Sequence, residues 1–286
     1  MDWKDLLQEY KDKTSFTPGY WVHLKCILFD KYLETHGLSG AVISVSGGID
    51  SAVTLGLLKY TMELPNSRLK KIVALSQPIH SSQWALDRAR ELCESFGIPL
   101  TVIDQTEIHN NITELFEKGM GTKGNEFSRG QLRSYLRTPA NYFAAQLLKE
   151  DGFPAVVMGT GNKDEDGYLA YFCKYGDGAV DVQLISDLHK SQVFIVGKHL
   201  KVPESILKAA PSADLWNGQT DEEEMGFSYD FIEFYTGHFM KLGTDQQLKI
   251  IGSLSQESRN EFLKYEKLCT SIHNRNAHKL GGVVNL

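Results

Sequence analysis

Ser46-Gly47-Gly48-Ile49-Asp50-Ser51 stands between an apolar run at residues 41–45 and a helical pattern over roughly residues 50–60. These residue types in this order suit the binding of phosphate. Gly47 and Gly48 lack a Cβ, so the backbone can turn sharply and bring its N–H groups close to an anion. The helix that follows points its unsatisfied amides and its positive dipole end at the same spot. Ser46 and Ser51 add hydroxyl donors. Asp50 adds a carboxylate able to hold a magnesium ion against phosphate oxygens. A glycine turn with a serine cap is the plainer reading, and the placement between strand and helix argues against it.

Two well-known phosphate loops are excluded by inspection. No lysine follows Gly48, as a Walker A loop requires. The nearest approaches to a dinucleotide fingerprint, Gly159-Thr160-Gly161 and Gly176-Asp177-Gly178, lack the third glycine. The loop instead resembles the S-G-G-x-D-S element of the N-type ATP pyrophosphatases. Those enzymes cleave ATP between its α and β phosphates and hold the leaving pyrophosphate in this loop.

The elements that must position such a loop follow from patterning. Strand-like apolar runs at residues 41–45, 72–75, 100–103 and 155–158 alternate with helical patterns, the clearest at residues 82–96. A long amphipathic segment, residues 19–36, precedes them. The pattern predicts an α/β fold, a doubly wound parallel sheet with helices on both faces; the resemblance of the loop implies that this sheet is of the adenine nucleotide alpha hydrolase-like kind. Ligands bind such sheets at the carboxyl ends of the strands, where the 46–51 loop falls. Thr138-Pro139 reads as a helix start, with threonine as cap and proline in the first turn. From about residue 186 a helical portion is expected, strongest at 187–200 and 257–273. No repeat or linker divides the 286 residues, so the reading is a single domain, 1–286.

Bulk properties narrow the partners. Hydrophobic residues make up 42% and charged residues 23%, ordinary for a globular protein. The net charge of −6 and the lack of a basic block speak against nucleic acid. No apolar stretch approaches the ~20 residues that span a bilayer, and the charged start Met1-Asp2-Trp3-Lys4-Asp5 does not read as a secretory signal. Cys26, Cys93, Cys173 and Cys269 form no C-x-x-C pair, and the histidines lack ligand spacing. Free thiols in a reducing cytoplasm, and no transition metal, are the expectation.

Four further segments carry a more specific resemblance. They are Met158-Gly159-Thr160-Gly161-Asn162-Lys163-Asp164-Glu165, Tyr171-Phe172-Cys173-Lys174-Tyr175-Gly176-Asp177-Gly178, Asp187-Leu188-His189-Lys190-Ser191-Gln192 and Pro211-Ser212-Ala213-Asp214-Leu215-Trp216-Asn217-Gly218-Gln219-Thr220-Asp221-Glu222. With the 46–51 loop, their order and spacing closely resembles the NAD synthase family over roughly residues 20–275. The resemblance implies adenylation of the nicotinate carboxylate of nicotinic acid adenine dinucleotide by magnesium-bound ATP. Ammonia then displaces AMP to form the amide of NAD.

The implied roles transfer position by position. ATP contacts fall on Ser44, Ser46, Gly47, Gly48, Ile49, Asp50, Ser51, Thr160, Lys190 and Ser212. Magnesium falls to Asp50, Glu165 and Ser212, and catalysis to Asp50, Asp177 and Lys190, with Asp177 handling the ammonia proton. Arg133, Arg137, Phe172, Lys174, Tyr175 and Asp181 are implied for the acid substrate. Arg129, Arg133 and Arg137 recur every four residues, as on one helix face, and arginine suits phosphates and carboxylates. The family also implies a homodimer with shared acid-substrate sites. The chain leaves no room for a glutaminase domain, so free ammonia is the expected donor, with a separate glutaminase partner left open. Gln131, Tyr135 and Asn274 depart from the common family pattern in the acid-substrate and closing regions. They keep open an amidating ligase acting on a different carboxylic acid. A tRNA-thiolating relative would need paired reactive cysteines and a basic surface. A nucleotide sensor would have no need of the whole catalytic set.

Overall fold

The computed structural model describes residues 1–209, 211 and 220–285. Five strands, β1 (Gly40–Ser44), β2 (Lys71–Ser76), β3 (Leu100–Val102), β4 (Ala155–Gly159) and β5 (Val182–Gln183), form one parallel sheet ordered β3-β2-β1-β4-β5. Ala41, Val42 and Ile43 are fully buried, as a central strand covered on both faces requires. Ala41 and Ile43 pack into the larger core, while Val42 joins Leu75 and Val157 on the opposite face. Ala41 lies opposite both Ile72 and Val156, so β1 is central. The chain moves outward through β2 and β3, then returns to the other side of β1 as β4. That reversal opens a crevice at the carboxyl ends of β1 and β4, where the 46–51 and 160–166 segments emerge.

Helices cover both faces. α2 (Pro18–His36), α3 (Ile49–Met62), α4 (Gln83–Phe96) and α7 (Lys190–His199) contribute Val22, Val53, Leu92 and Val193 to the larger core. α5 (Thr106–Met120) leads into α6 (Glu126–Glu150), which covers the other face through Ala145 and Leu148. After the short α8 (Glu204–Leu207) and α9 (Asp221–Met225), a helical portion follows: α10 (Tyr229–Gly237), α11 (Thr244–Ser253) and α12 (Gln256–Asn276). The N-terminal α1 (Trp3–Lys13) closes back on it, with Trp3, Phe231, Phe234 and Phe262 forming a second core. The Trp3 indole N–H reaches Glu261 at 2.7 Å.

Two helix boundaries differ from the sequence reading. No helix starts at Thr138-Pro139; α6 runs from Glu126 straight through Pro139. Asn125 caps it by accepting from Ser128 N–H, and the Thr138 hydroxyl donates to the carbonyls of Tyr175 and Gly176 at 3.0 and 2.9 Å. An interior proline costs about 3 kcal/mol or more. Packing of the long helix against the sheet and the 175–177 loop offsets it. The second difference is α7, which opens at Lys190 rather than at residue 187. The Asp164 carboxylate accepts the Lys190 backbone N–H at 2.7 Å and so fixes where the helix begins.

Candidate active site

The glycine loop leaves β1 and enters α3 with almost no slack. Gly47 has φ +83°, and a Cβ there would lie 2.4 Å from the Ala85 carbonyl oxygen, so no side chain fits. The Ser51 hydroxyl donates to the Gly48 carbonyl at 3.1 Å and accepts the Ser46 N–H at 3.3 Å. The hydroxyls therefore brace the loop itself. The first α3 ladder bond is Ala52 N–H to Gly48 O, so the amides of residues 49–51 precede the ladder at the crevice.

Asp50, in the first turn of α3, meets groups from β4 and α7. Lys190 Nζ lies 2.6 Å from Asp50 Oδ2 and 2.7 Å from Glu165 Oε1, with 4% of its side chain exposed. Asn162 is fully buried and ties the same pieces together. Its Nδ2 donates to Asp50 Oδ1 at 3.0 Å, and its Oδ1 accepts the N–H groups of Asp164 and Glu165. Asp164 accepts from His189 Nδ1 at 2.6 Å as well as from the Lys190 amide. Lys163 Nζ donates to the other ring nitrogen at 3.0 Å, which places the ring hydrogen on Nδ1.

The electrostatics follow from crowding acids around one ammonium. Burial works against the Lys190 charge, but Asp50 and Glu165 outweigh it and hold its pKa above the ordinary lysine value. Burial pushes Asp50 up, with Lys190 opposing and Glu165 reinforcing the shift. Burial also pushes on Glu165, yet the Lys190 charge and the Lys190 and Tyr229 hydrogen bonds bring it below the usual carboxylate range. The Tyr229 hydroxyl is 2.6 Å from Glu165 Oε1 and 3.0 Å from Asp221 Oδ2. It has one proton for two acceptors, and Asp221 Oδ1 is buried with no hydrogen-bond partner among the described residues. Burial and then the Glu165 charge raise Asp221 to about 6. The pocket thus holds more carboxylate than its lysine neutralises and favours an incoming cation.

Asp177 lies across the crevice. Its Oδ1 accepts the Ser134 hydroxyl at 3.0 Å and the Cys173 N–H at 2.9 Å. Burial raises its pKa against those hydrogen bonds and Arg137. Asp166 is a further buried acid, raised to about 8 by burial and then by the charges of Asp177 and Glu165. It accepts from Gln183 Nε2 at 2.7 Å, and a Cβ on Gly161 would lie 1.7 Å from its Oδ2, so any side chain at 161 would displace the Asp166 carboxylate.

Three cavities open around these groups. One of about 880 Å³ is lined by the loop, Thr160, Glu165, Asp177, Lys190 and Asp221. Its neighbour, about 940 Å³, has apolar walls at Val45, Leu75 and Met158 with Ser44, Thr160 and Arg137. The third, about 1280 Å³, is lined by Phe172, Lys174, Tyr175 and Asp181 together with Asp166 and Lys279. The sequence-predicted nucleotide residues at 44, 46–51, 160 and 190 therefore gather in the first two cavities, as does Glu165. Four of the acid-substrate residues gather in the third. Arg137 does not join them; it lines the second, more apolar cavity, its Nε 3.4 Å from the Gln77 carbonyl. Arg133 lines none of the three. Arg129 pairs with Glu117 at 2.6 Å. Ser212 lies outside the described residues.

Sequence reasoning did not single out Asn162, Asp164, Asp166, Asp221 or Tyr229. The first three sit inside the run Asn162-Lys163-Asp164-Glu165-Asp166, whose density of acids next to a strand end was a usable signal. Tyr229 carries no such signal.

A family model described as NAD synthase matches residues 21–280. The chain belongs to the NAD synthase family. An NH(3)-dependent NAD(+) synthetase of Methanococcoides burtonii is 39% identical over 204 residues, covering 70% of this chain and 72% of the relative. Among solved structures, NMN synthetase from Francisella tularensis superposes with a TM-score of 0.75 at 30% identity, covering 95% of this chain and 99% of that one. NH3-dependent NAD synthetase from Campylobacter jejuni gives 0.69 at 20% identity, over 95% and 100%; at that identity the likeness speaks to the fold. The parallel sheet with its glycine-rich first loop is thus the architecture of NAD synthases, and Asp50, Glu165 and Lys190 stand at its crevice.

Proposed function

We propose that the protein is an ammonia-dependent NAD synthase. It amidates nicotinic acid adenine dinucleotide with ATP and releases AMP and pyrophosphate. The observation that carries this reading is the Asp50–Lys190–Glu165 cluster at the mouth of an α3 N-terminus, in a chain of this family. Adenosine fits the apolar cavity beside Arg137, and the phosphates fit the loop, facing the open amides of α3 and Lys190.

Magnesium suits the residues present. Among the described residues no group of three or more His, Cys, Asp and Glu side chains is placed to hold a metal. Magnesium takes one or two protein carboxylates and completes its shell with phosphates and water. Asp50 and Glu165, already gathered around a cation, match that donor set. When bound, the ion would screen the charge between carboxylate and triphosphate.

In the first half-reaction a carboxylate oxygen of the substrate attacks the α-phosphorus, and the bond to the β-phosphate oxygen breaks. Lys190 and the α3 amides bear the charge that accumulates on pyrophosphate. In the second, ammonia attacks the acyl carbon, the bond to AMP breaks, and Asp177 takes the proton that ammonium must lose. Its raised pKa makes it a stronger base than an ordinary aspartate.

A second reading rests on the Francisella likeness and on Gln131, Tyr135 and Asn274: the acid is the mononucleotide and the product NMN. One assay separates the two. Purified protein with ATP, magnesium and ammonium is given each acid in turn. The dinucleotide should be amidated with the higher kcat/KM; preference for the mononucleotide selects the second reading, and ADP formation with either acid contradicts both.

Exposed Leu115, Phe116, Met120 and Phe127 on α5 and α6 support a homodimer. Tyr135 and Phe143, also exposed on α6, would bring the acid-substrate side to the same interface. Sedimentation should read about twice 32.1 kDa, and a fully active monomer contradicts the shared site. Buried, unpaired Cys26, Cys93, Cys173 and Cys269 support a reducing, cytoplasmic setting, which fractionation checks. No helix among the described residues is long and apolar enough to cross a membrane.

A further inference from the structure

The Ala85 carbonyl that crowds Gly47 marks where the first turn of α4 rests on the glycine loop. Trp84 and Arg88 stand beside that contact, four residues apart and so neighbours on one helix face. Both line the loop cavity with Gly47, Gly48, Asp50 and Lys190. The Arg88 guanidinium carbon lies over the Trp84 ring, 4.5 Å from its centroid. The indole is 43% exposed, so it serves the rim of the cavity and not the core.

Arg88 has no protein group to neutralise it. Among the described residues no carboxylate lies within ion-pair distance of it, and its guanidinium donates no hydrogen bond. The acids nearest to it on α4 are engaged elsewhere. Asp87 accepts from Gln83 Nε2 at 2.8 Å and pairs with Arg90 at 3.5 Å, and Glu91 accepts the Ser205 hydroxyl. Stacking occupies the face of a guanidinium and leaves its in-plane N–H edges open, and those edges match a pair of phosphate oxygens.

Position tells which phosphates it would meet. Ser46, Thr160 and Asp177 line both the loop cavity and its apolar neighbour, so they mark the junction of the two. Trp84 and Arg88 line the loop cavity alone. With adenosine in the apolar cavity, the α-phosphate falls at the junction and the β and γ phosphates extend toward α4. The other lysine or arginine lining the loop cavity is Lys190, which is already shared between Asp50 and Glu165. Charge that grows on the leaving pyrophosphate is therefore met more fully by a second, uncommitted cation.

We propose that Arg88, held on the Trp84 ring, binds the terminal phosphates of ATP and the pyrophosphate that leaves. The proposal rests on the functional reading above. It adds to that reading a residue from outside the segments that carry the family resemblance.

The test is calorimetric titration with pyrophosphate and, separately, with AMP, both in magnesium buffer. Arg88→Gln should weaken pyrophosphate about tenfold, the scale of one hydrogen bond to a charged group, and leave AMP unchanged. Arg88→Met keeps the stem on the indole and removes the charge, so it carries the same expectation should the glutamine variant fold poorly. Arg88→Lys keeps the charge without the planar fork and should recover part of the affinity. Unchanged pyrophosphate affinity in the glutamine and methionine variants, or equal weakening of AMP, would overturn the proposal. A wild-type protein that amidates neither acid overturns the functional reading together with this one. A wild-type protein that amidates, with pyrophosphate binding unaltered in the variants, overturns this one alone.

Discussion

Lys190 keeps 4% of its side chain exposed between Asp50 and Glu165, whereas Tyr175 in the neighbouring cavity is 60% exposed. The first group is held by α3, β4 and α7, whose register is set by the sheet and by Asn162 and Asp164. The second hangs on a loop pinned by α6 and the end of α12. On the proposed phosphate side, the charges are largely buried at fixed distances, so the dipoles need little reorganisation during reaction. On the proposed acid-substrate side, Tyr175 and the long cations border a wider opening. On the proposed function, chemistry is built on strand ends and selectivity on loops, and the two sides should fail differently when altered.

Damage to the phosphate side should be the more severe. Asp50→Asn preserves volume and the Asn162 neighbour but removes a carboxylate that organises phosphate charge. Activity at saturating magnesium should fall about a thousandfold, several kcal/mol of lost transition-state stabilisation. Steady-state rates with a matched unfolding temperature check it; turnover near wild type would break the contrast.

Asp177 touches both sides, lining both nucleotide cavities while its loop carries Lys174 and Tyr175. Asp177→Asn should release pyrophosphate at nearly the wild-type rate but form amide about a hundredfold more slowly, the range of a lost general base. Rapid-quench measurement of the two half-reactions separates them. Equal loss of both would move Asp177 to the phosphate side.

The smallest effect concerns stability. Asp166 titrates at about 8 in the folded protein because it is buried, well above an ordinary carboxylate. The folded state therefore keeps a proton that the unfolded chain gives up. Its contribution is complete below the unfolded pKa and is lost as pH rises through about 8. Asparagine cannot ionise, so the unfolding temperature of Asp166→Asn minus that of wild type should climb between pH 5 and pH 9 in metal-free buffer. A flat difference would place Asp166 in water.

The contrast also explains what could be read in advance. Residues 41–51 announce strand, glycine turn and helix together, because local propensity and burial agree there. Glu165 was legible only through the resemblance of residues 158–165 to a known family, and Asn162 beside it was not singled out. Pro139 misled, because a proline after threonine looks like a start until Thr138 is seen bonding the 175–176 carbonyls. β5 spans two residues, too few to make a pattern. Arg133 and Arg137 share a spacing but not a cavity, which depends on how α6 lies against the sheet. Tyr229 and Lys279 meet their partners across 64 and 107 residues of chain, and no local signal encodes such contacts.

The central claim is that a substrate carboxylate attacks the α-phosphorus of ATP. Acid labelled with oxygen-18 in its carboxyl group tests it directly, since one carboxyl oxygen must leave with AMP when ammonia forms the amide. Mass spectrometry should find one labelled oxygen in AMP per turnover and none in pyrophosphate. Unlabelled AMP, or label in orthophosphate alongside ADP, would contradict the account.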